Sequence, residues 1–180
     1  MLIGLITKLR EIVFGVQDGL ISNVALTTSM AIATESLNSI IIAGITGAIA
    51  GTFSMASGAF LSSRAEIEVN MLINDDNSRR NHRLLDPLMD AIAMGLSFLV
   101  AALIPILPYF ILVGTDAVWC SVTVTLISLF MLGLGKGFLV KQNIFKSGLE
   151  VFVVGMGSAA IGYLLGECIP ILLTNLSVKL

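Results

Sequence analysis

The chain has 180 residues, 56% of them hydrophobic and only 12% charged, with a formal net charge of -2 and a mean hydropathy of +0.98. A soluble domain carries about 25% charged residues, so there is too little charge here to cover a water-facing surface. The missing basic excess excludes nucleic acid as a partner, and the length suits a single transmembrane domain over 1–180.

A bilayer core about 30 Å thick takes roughly 20 mostly apolar residues as a helix. Five stretches meet that need, at about 12–33, 39–61, 88–113, 117–134 and 148–173. Backbone groups in lipid must bond within their own segment unless a barrel closes, and none of the stretches alternates as barrel strands do. The expected fold is therefore an all-α integral membrane protein with five transmembrane helices.

The first stretch follows Lys8 and Arg10 and lacks a clean small-residue cleavage site, so it reads as a retained helix rather than a signal peptide. It carries Asp18, about two turns in. A carboxylate at the bilayer centre costs about 2.5–3.5 kcal/mol on insertion scales and normally faces a cavity, a partner or an ion. Gly15, Asp18, Ser22, Ala25 and Ser29 recur at three and four residues and so share one helix face. The bland alternative has Asp18 reaching the interface or pairing with a lysine.

The second stretch is rich in small residues, with Gly47 and Gly51 in a Gly-x-x-x-Gly spacing that lets backbones approach. It also holds Met55. Methionine is a common apolar filler, but its thioether is a soft ligand suited to transition metals. A carboxylate with a thioether suits ferrous iron or manganese better than calcium or magnesium, which prefer all-oxygen ligands.

The segment 64–86 is the only substantial extramembrane piece. Its start, RAEIEVNML, reads as a continuation of the second helix, and NDDNSRRN as a loop. It offers Glu66, Glu68, Asp75, Asp76, His82 and Asp86, with Asp90 just beyond. Pro87 opens the third stretch, where its missing amide hydrogen costs nothing, and Pro105 and Pro108 should kink or end it. The fifth stretch repeats the small-residue spacing at Gly162 and Gly166, and Glu150 and Glu167 flank it. Within one subunit, such pairs pack helices; between subunits, they build a dimer.

Basic residues orient the bundle. Lys8 and Arg10 precede the first stretch; Arg64, Arg79, Arg80 and Arg83 lie between the second and third; Lys136, Lys141 and Lys146 lie between the fourth and fifth. Only Lys179 falls on the other side, so the N-terminus is expected in the cytoplasm and the C-terminus outside. Cys120 and Cys168 form neither a metal spacing nor a disulfide framework. No nucleophile–base pair, phosphate loop or H-E-x-x-H pattern is present, so an enzyme is not expected.

Together these residues resemble the vacuolar iron transporter family. The resemblance runs through EIVFGVQDGLISNVALT, IIAGITGAIAGTFSMASGAFLSSRAEIE and DPLMDAIAMGLSFLVAALIPILPYF, and more loosely through LFMLGLGKG and IGYLLG. It implies a five-helix homodimer that moves ferrous iron, and often manganese, out of the cytosol in exchange for protons, with no tightly bound cofactor. The membrane would be the cell membrane or that of a vacuole or other organelle. The metal path would run between subunits, with Asp18 as its first-helix carboxylate and Met55 as its second-helix thioether. Two departures stand out. Ala59 replaces the glutamate usual after Ser-Met-Ala-x-Gly, and the segment 64–86 is shorter than the family's glutamate-rich cytoplasmic insert. Glu66 and Glu68 are the nearest remaining metal-gathering candidates. A changed substrate, or a membrane scaffold that transports nothing, are the rival expectations.

Overall fold

The computed structural model describes residues 2–73 and 86–177. They form five α-helices: α1 (Leu2–Ala33), α2 (Leu37–Ile73), α3 (Asp86–Leu103), α4 (Gly114–Leu139) and α5 (Ile144–Ser177), with a 3-10 turn over Leu107–Phe110 between α3 and α4. No strand occurs among the described residues. Asp75, Asp76, Arg79, Arg80, His82 and Arg83 lie outside them.

The proline expectations carry through, and the expected loop NDDNSRRN lies outside the described residues. Pro87 sits in the first turn of α3, and that helix stops at Leu103, just before Pro105 and Pro108. The third stretch is thus shorter as a helix than 88–113, because two missing amide hydrogens fall where the helix would continue. The RAEIEVNML run continues α2. Conversely, α4 and α5 run past 117–134 and 148–173 at both ends. Pro170 lies inside α5 without ending it.

Four helices, α2 to α5, are long and apolar enough to cross a membrane. In α1, Gln17, Asp18, Asn23, Thr27 and Thr28 interrupt the apolar run. The contacts explain how this helix tolerates such polarity: α1 packs against all four others, most extensively against α3 and α5. Its polar side chains are shielded by neighbouring protein. Asn23, Thr27 and Thr28 are buried, as are Ser121 and Thr125 of α4. Large apolar side chains such as Phe53, Ile111, Trp119 and Phe138 point outward instead. This polar-inside, apolar-outside pattern belongs to a protein whose solvent is lipid.

The core is built from three apolar clusters: Leu20 with Ala101, Leu129 and Val151; Ile40 with Tyr109 and Ala117; and Ala48 with Phe98 and Ala102. Small residues bring the helices close. A Cβ at Gly162 would lie 2.5 Å from the Ala25 carbonyl oxygen, and one at Gly166 would lie 2.6 Å from that of Ser29. The Gly162–Gly166 spacing is therefore used inside one chain, to seat α5 on α1. Gly51 is covered by the Phe98 ring. Cys120 and Cys168 are free thiols.

Candidate cation path

Two cavities lie along α2 and meet at shared residues. The first, about 460 Å³, opens beside the N-terminal part of α1 and is lined by Glu11, Ala59, Glu66, Asp90 and Met94, among others. The second, about 230 Å³, lies further along α1 and is lined by Asp18, Ser22, Asn23, Gly47 and Phe98. Ser54 and Met55 line both. The side chain of Met55 thus stands between the carboxylates at the helix ends and Asp18 in the interior. A larger cavity, about 700 Å³ between α1, α4 and α5, is lined by apolar groups such as Val118, Trp119 and Leu164 and contains no carboxylate.

The outer cavity holds its charges in pairs. Glu11 is buried and accepts hydrogen bonds from Arg10 at 2.7 and 3.1 Å. That bond, and the charge behind it, hold the Arg10 guanidinium above its ordinary pKa. Asp90 is also buried; it accepts a hydrogen bond from Ser63 at 2.9 Å and faces Lys8 at 3.8 Å. Glu66 is exposed at the cavity mouth. The partners of these carboxylates differ: the Lys8 ammonium is buried and the Arg10 side chain is exposed.

The sequence candidates separate here. Asp18 and Met55 share the inner cavity, and Met55 and Glu66 share the outer one. Glu68 lines neither; it accepts a hydrogen bond from Arg64 at 3.1 Å on the exposed side of α2. Asp18 is half-buried and forms no ion pair among the described residues. The single face expected over Gly15, Asp18, Ser22, Ala25 and Ser29 is divided by its neighbours. Asp18 and Ser22 line the cavity, Gly15 packs on α3 at Met94 and Ser97, and Ala25 and Ser29 lie under the glycines of α5.

Three residues of this region went unselected in the sequence reading. Glu11 lies seven residues before Asp18, two helical turns away on the same face, which was a usable signal. Asn23 is an amide within a membrane helix, a residue type that seeks partners across helices. Asp90 was grouped with the loop acids, and only the packing of α3 against α1 and α2 buries it. Among the described residues, no three His, Cys, Asp or Glu side chains come close enough to hold an ion within one chain. Both cavities are open on one side, so a second surface could complete them.

These features define a helical integral membrane protein with a polar cleft leading to an interior carboxylate. The VIT family model matches residues 9–79 and 69–167, two pieces that meet at the α2–α3 connection. The chain belongs to the VIT family. It is 32% identical to vacuolar iron transporter homolog 3 of Arabidopsis thaliana over 164 residues, covering 86% of this chain and 80% of that one. It is 30% identical to vacuolar iron transporter homolog 2 of Oryza sativa subsp. japonica over 164 residues, covering 86% and 87%. Vacuolar iron transporter 1 of Eucalyptus grandis is 25% identical over 207 residues, covering 86% and 83%. The same share of this chain is matched in all three, so the extra 43 aligned positions are residues that the Eucalyptus protein carries and this chain lacks.

Proposed function

We propose that this protein is a proton-coupled exporter of divalent transition metal, carrying ferrous iron and manganese from the cytosol through a path between two copies of the chain. In this reading α1 is the fifth span, with the N-terminus inside and the C-terminus outside. The observation that carries it is the pair of cavities joined at Met55, which links Glu11, Glu66 and Asp90 at the basic end of the bundle to Asp18 in its interior. The names of the relatives supply the cargo, and the donor set agrees with it: carboxylate oxygen and thioether sulfur suit borderline divalent ions.

The chemistry follows from the placement of charge. Cytosolic metal is attracted to the outer carboxylates and displaces Lys8 and Arg10 from them. It then passes Met55, whose soft sulfur holds a partly dehydrated ion without adding charge. At the interior, Asp18 from each of two copies neutralises the divalent ion. Two carboxylates brought that close cannot both stay ionised once the metal leaves, so the empty site takes up a proton. A proton arriving from the far side therefore competes with metal, which gives exchange its physical basis. The open sides of both cavities support closure by a second copy.

Ala59 favours a second reading in which the cargo differs. It is buried in the outer cavity, where the family resemblance puts a glutamate. Uptake into sealed vesicles separates the readings. Ferrous iron or manganese is offered outside under an imposed proton gradient, to the native chain and to Asp18→Asn. Gradient-dependent uptake that is lost in the variant supports the exporter. A folded native dimer that takes up neither metal rejects it.

A further inference from the structure

Asn23 is 2% exposed, and its amide nitrogen is committed twice. It donates to the carbonyl oxygen of Ala102 on α3 and to that of Gly44 on α2, the latter at 3.3 Å. These acceptors decide which end of the amide is which. A flipped side chain would set its oxygen against two carbonyl lone pairs, an arrangement that no hydrogen could bridge. The Asn23 Oδ1 therefore points away from both backbones, and it has no hydrogen-bond partner there. It belongs to the lining of the inner cavity, beside Asp18.

No hydrogen bond from the surroundings reaches that oxygen. The Ser22 hydroxyl, which lines the same cavity, already donates to the Asp18 carbonyl oxygen at 2.6 Å. Across the cavity stands Gly47, where a Cβ would meet Leu26 at 2.6 Å and Asn23 Oδ1 at 3.6 Å. The flexible tip of Leu26, rather than a side chain on residue 47, fills the space beside the oxygen. A buried acceptor with no donor, facing a cavity that also holds a carboxylate and a thioether, is suited to a cation.

We infer that Asn23 Oδ1 is a direct oxygen ligand of the transported divalent ion, completing with Asp18 and Met55 a mixed site of carboxylate, amide and thioether. This rests on the reading that the Asp18 cavity binds metal. An amide oxygen adds coordination without charge and does not titrate, so it stays in place while protons and metal exchange on Asp18. It is also a hard donor. Its presence shifts preference toward manganese and ferrous iron and away from softer, sulfur-seeking ions such as cadmium.

The test uses the full chain, purified as it assembles, with Mn²⁺ as the probe. Electron–nuclear double resonance on protein labelled with ¹³C at asparagine side-chain carbonyls should show a coupling from a directly bound amide. The label leaves the native fold untouched, so no variant needs to fold for this arm. In a second arm, Asn23→Leu should weaken Mn²⁺ binding about tenfold while leaving Cd²⁺ binding nearly unchanged; a merely structural loss would lower both equally. Mn²⁺ that binds in an Asp18-dependent way but shows no asparagine coupling overturns this inference and leaves the exporter standing. A native chain that binds no Mn²⁺ overturns both.

Discussion

Replacing Gly162 by alanine tests whether α5 and α1 meet backbone to backbone. The added Cβ would lie 2.5 Å from the Ala25 carbonyl oxygen and 2.8 Å from its Cα, about 0.9 Å inside the 3.4 Å at which ordinary contact begins. Both obstacles are backbone atoms of a helix packed against four others, so no side-chain rotation relieves the clash. The helices must separate, and the packing that surrounds Val151 and Leu129 opens with them. Overpacking of this kind costs about 1–3 kcal/mol. For a chain of this size each kcal/mol moves the midpoint by roughly 2–4 °C, so thermal unfolding in detergent should occur about 2–12 °C lower. Gly157 provides the control, because it lies on the same helix with nothing within 4 Å of its added Cβ. Gly157→Ala should be neutral or stabilise by about 0.5–1 kcal/mol through helix propensity. A Gly162→Ala chain as stable as the native one, or no less stable than Gly157→Ala, would refute the close approach.

Two further outcomes probe the path and its frame. Ala59→Glu puts a fourth acid beside Glu11, Glu66 and Asp90 in the outer cavity; with chelator its melting point should fall below native through like-charge repulsion, and millimolar Mn²⁺ should raise it by more than it raises the native chain, through linkage. A variant indifferent to both would remove the outer cavity from the metal path. Ser121→Ala deletes the hydroxyl that donates to the Pro105 carbonyl oxygen at 2.6 Å in a fully buried setting; calorimetry should register a loss of about 1–3 kcal/mol, and no loss would mean that this carbonyl finds another donor.

What the sequence disclosed and what it withheld divide along a physical line. Properties set within one helix were legible: five apolar runs that form helices, a kink or end at Pro105 and Pro108, and the entry at Pro87. Properties set between helices were not. Asp90 reads as one more loop acid until α3 is laid against α1 and α2, where Ser63 and Lys8 meet it. Glu66 and Glu68 look equivalent in the sequence, yet residues two apart on a helix diverge; one reaches the cavity and the other an arginine. Gly162 and Gly51 carry the same small-residue signature, but one seats a backbone and the other a phenylalanine ring.

The least apolar helix holding the central position is the clearest link between fold and function. An ordinary packing argument would put the most hydrophobic segment in the middle. Here lipid surrounds the bundle, so there is no hydrophobic drive to bury one apolar helix against another, and close packing and polar contacts decide instead. A helix carrying Asp18, Asn23, Thr27 and Thr28 is costly in lipid and finds relief against neighbours that offer carbonyls: Ala102 and Gly44 for Asn23, and its own Asn23 carbonyl for Thr27. The same requirement that pulls α1 inward also presents Asp18 to the cavity along α2. Polarity that would be a liability on the lipid face thus builds the cleft, and the apolar surfaces of α2 to α5 carry the task of holding it in the membrane.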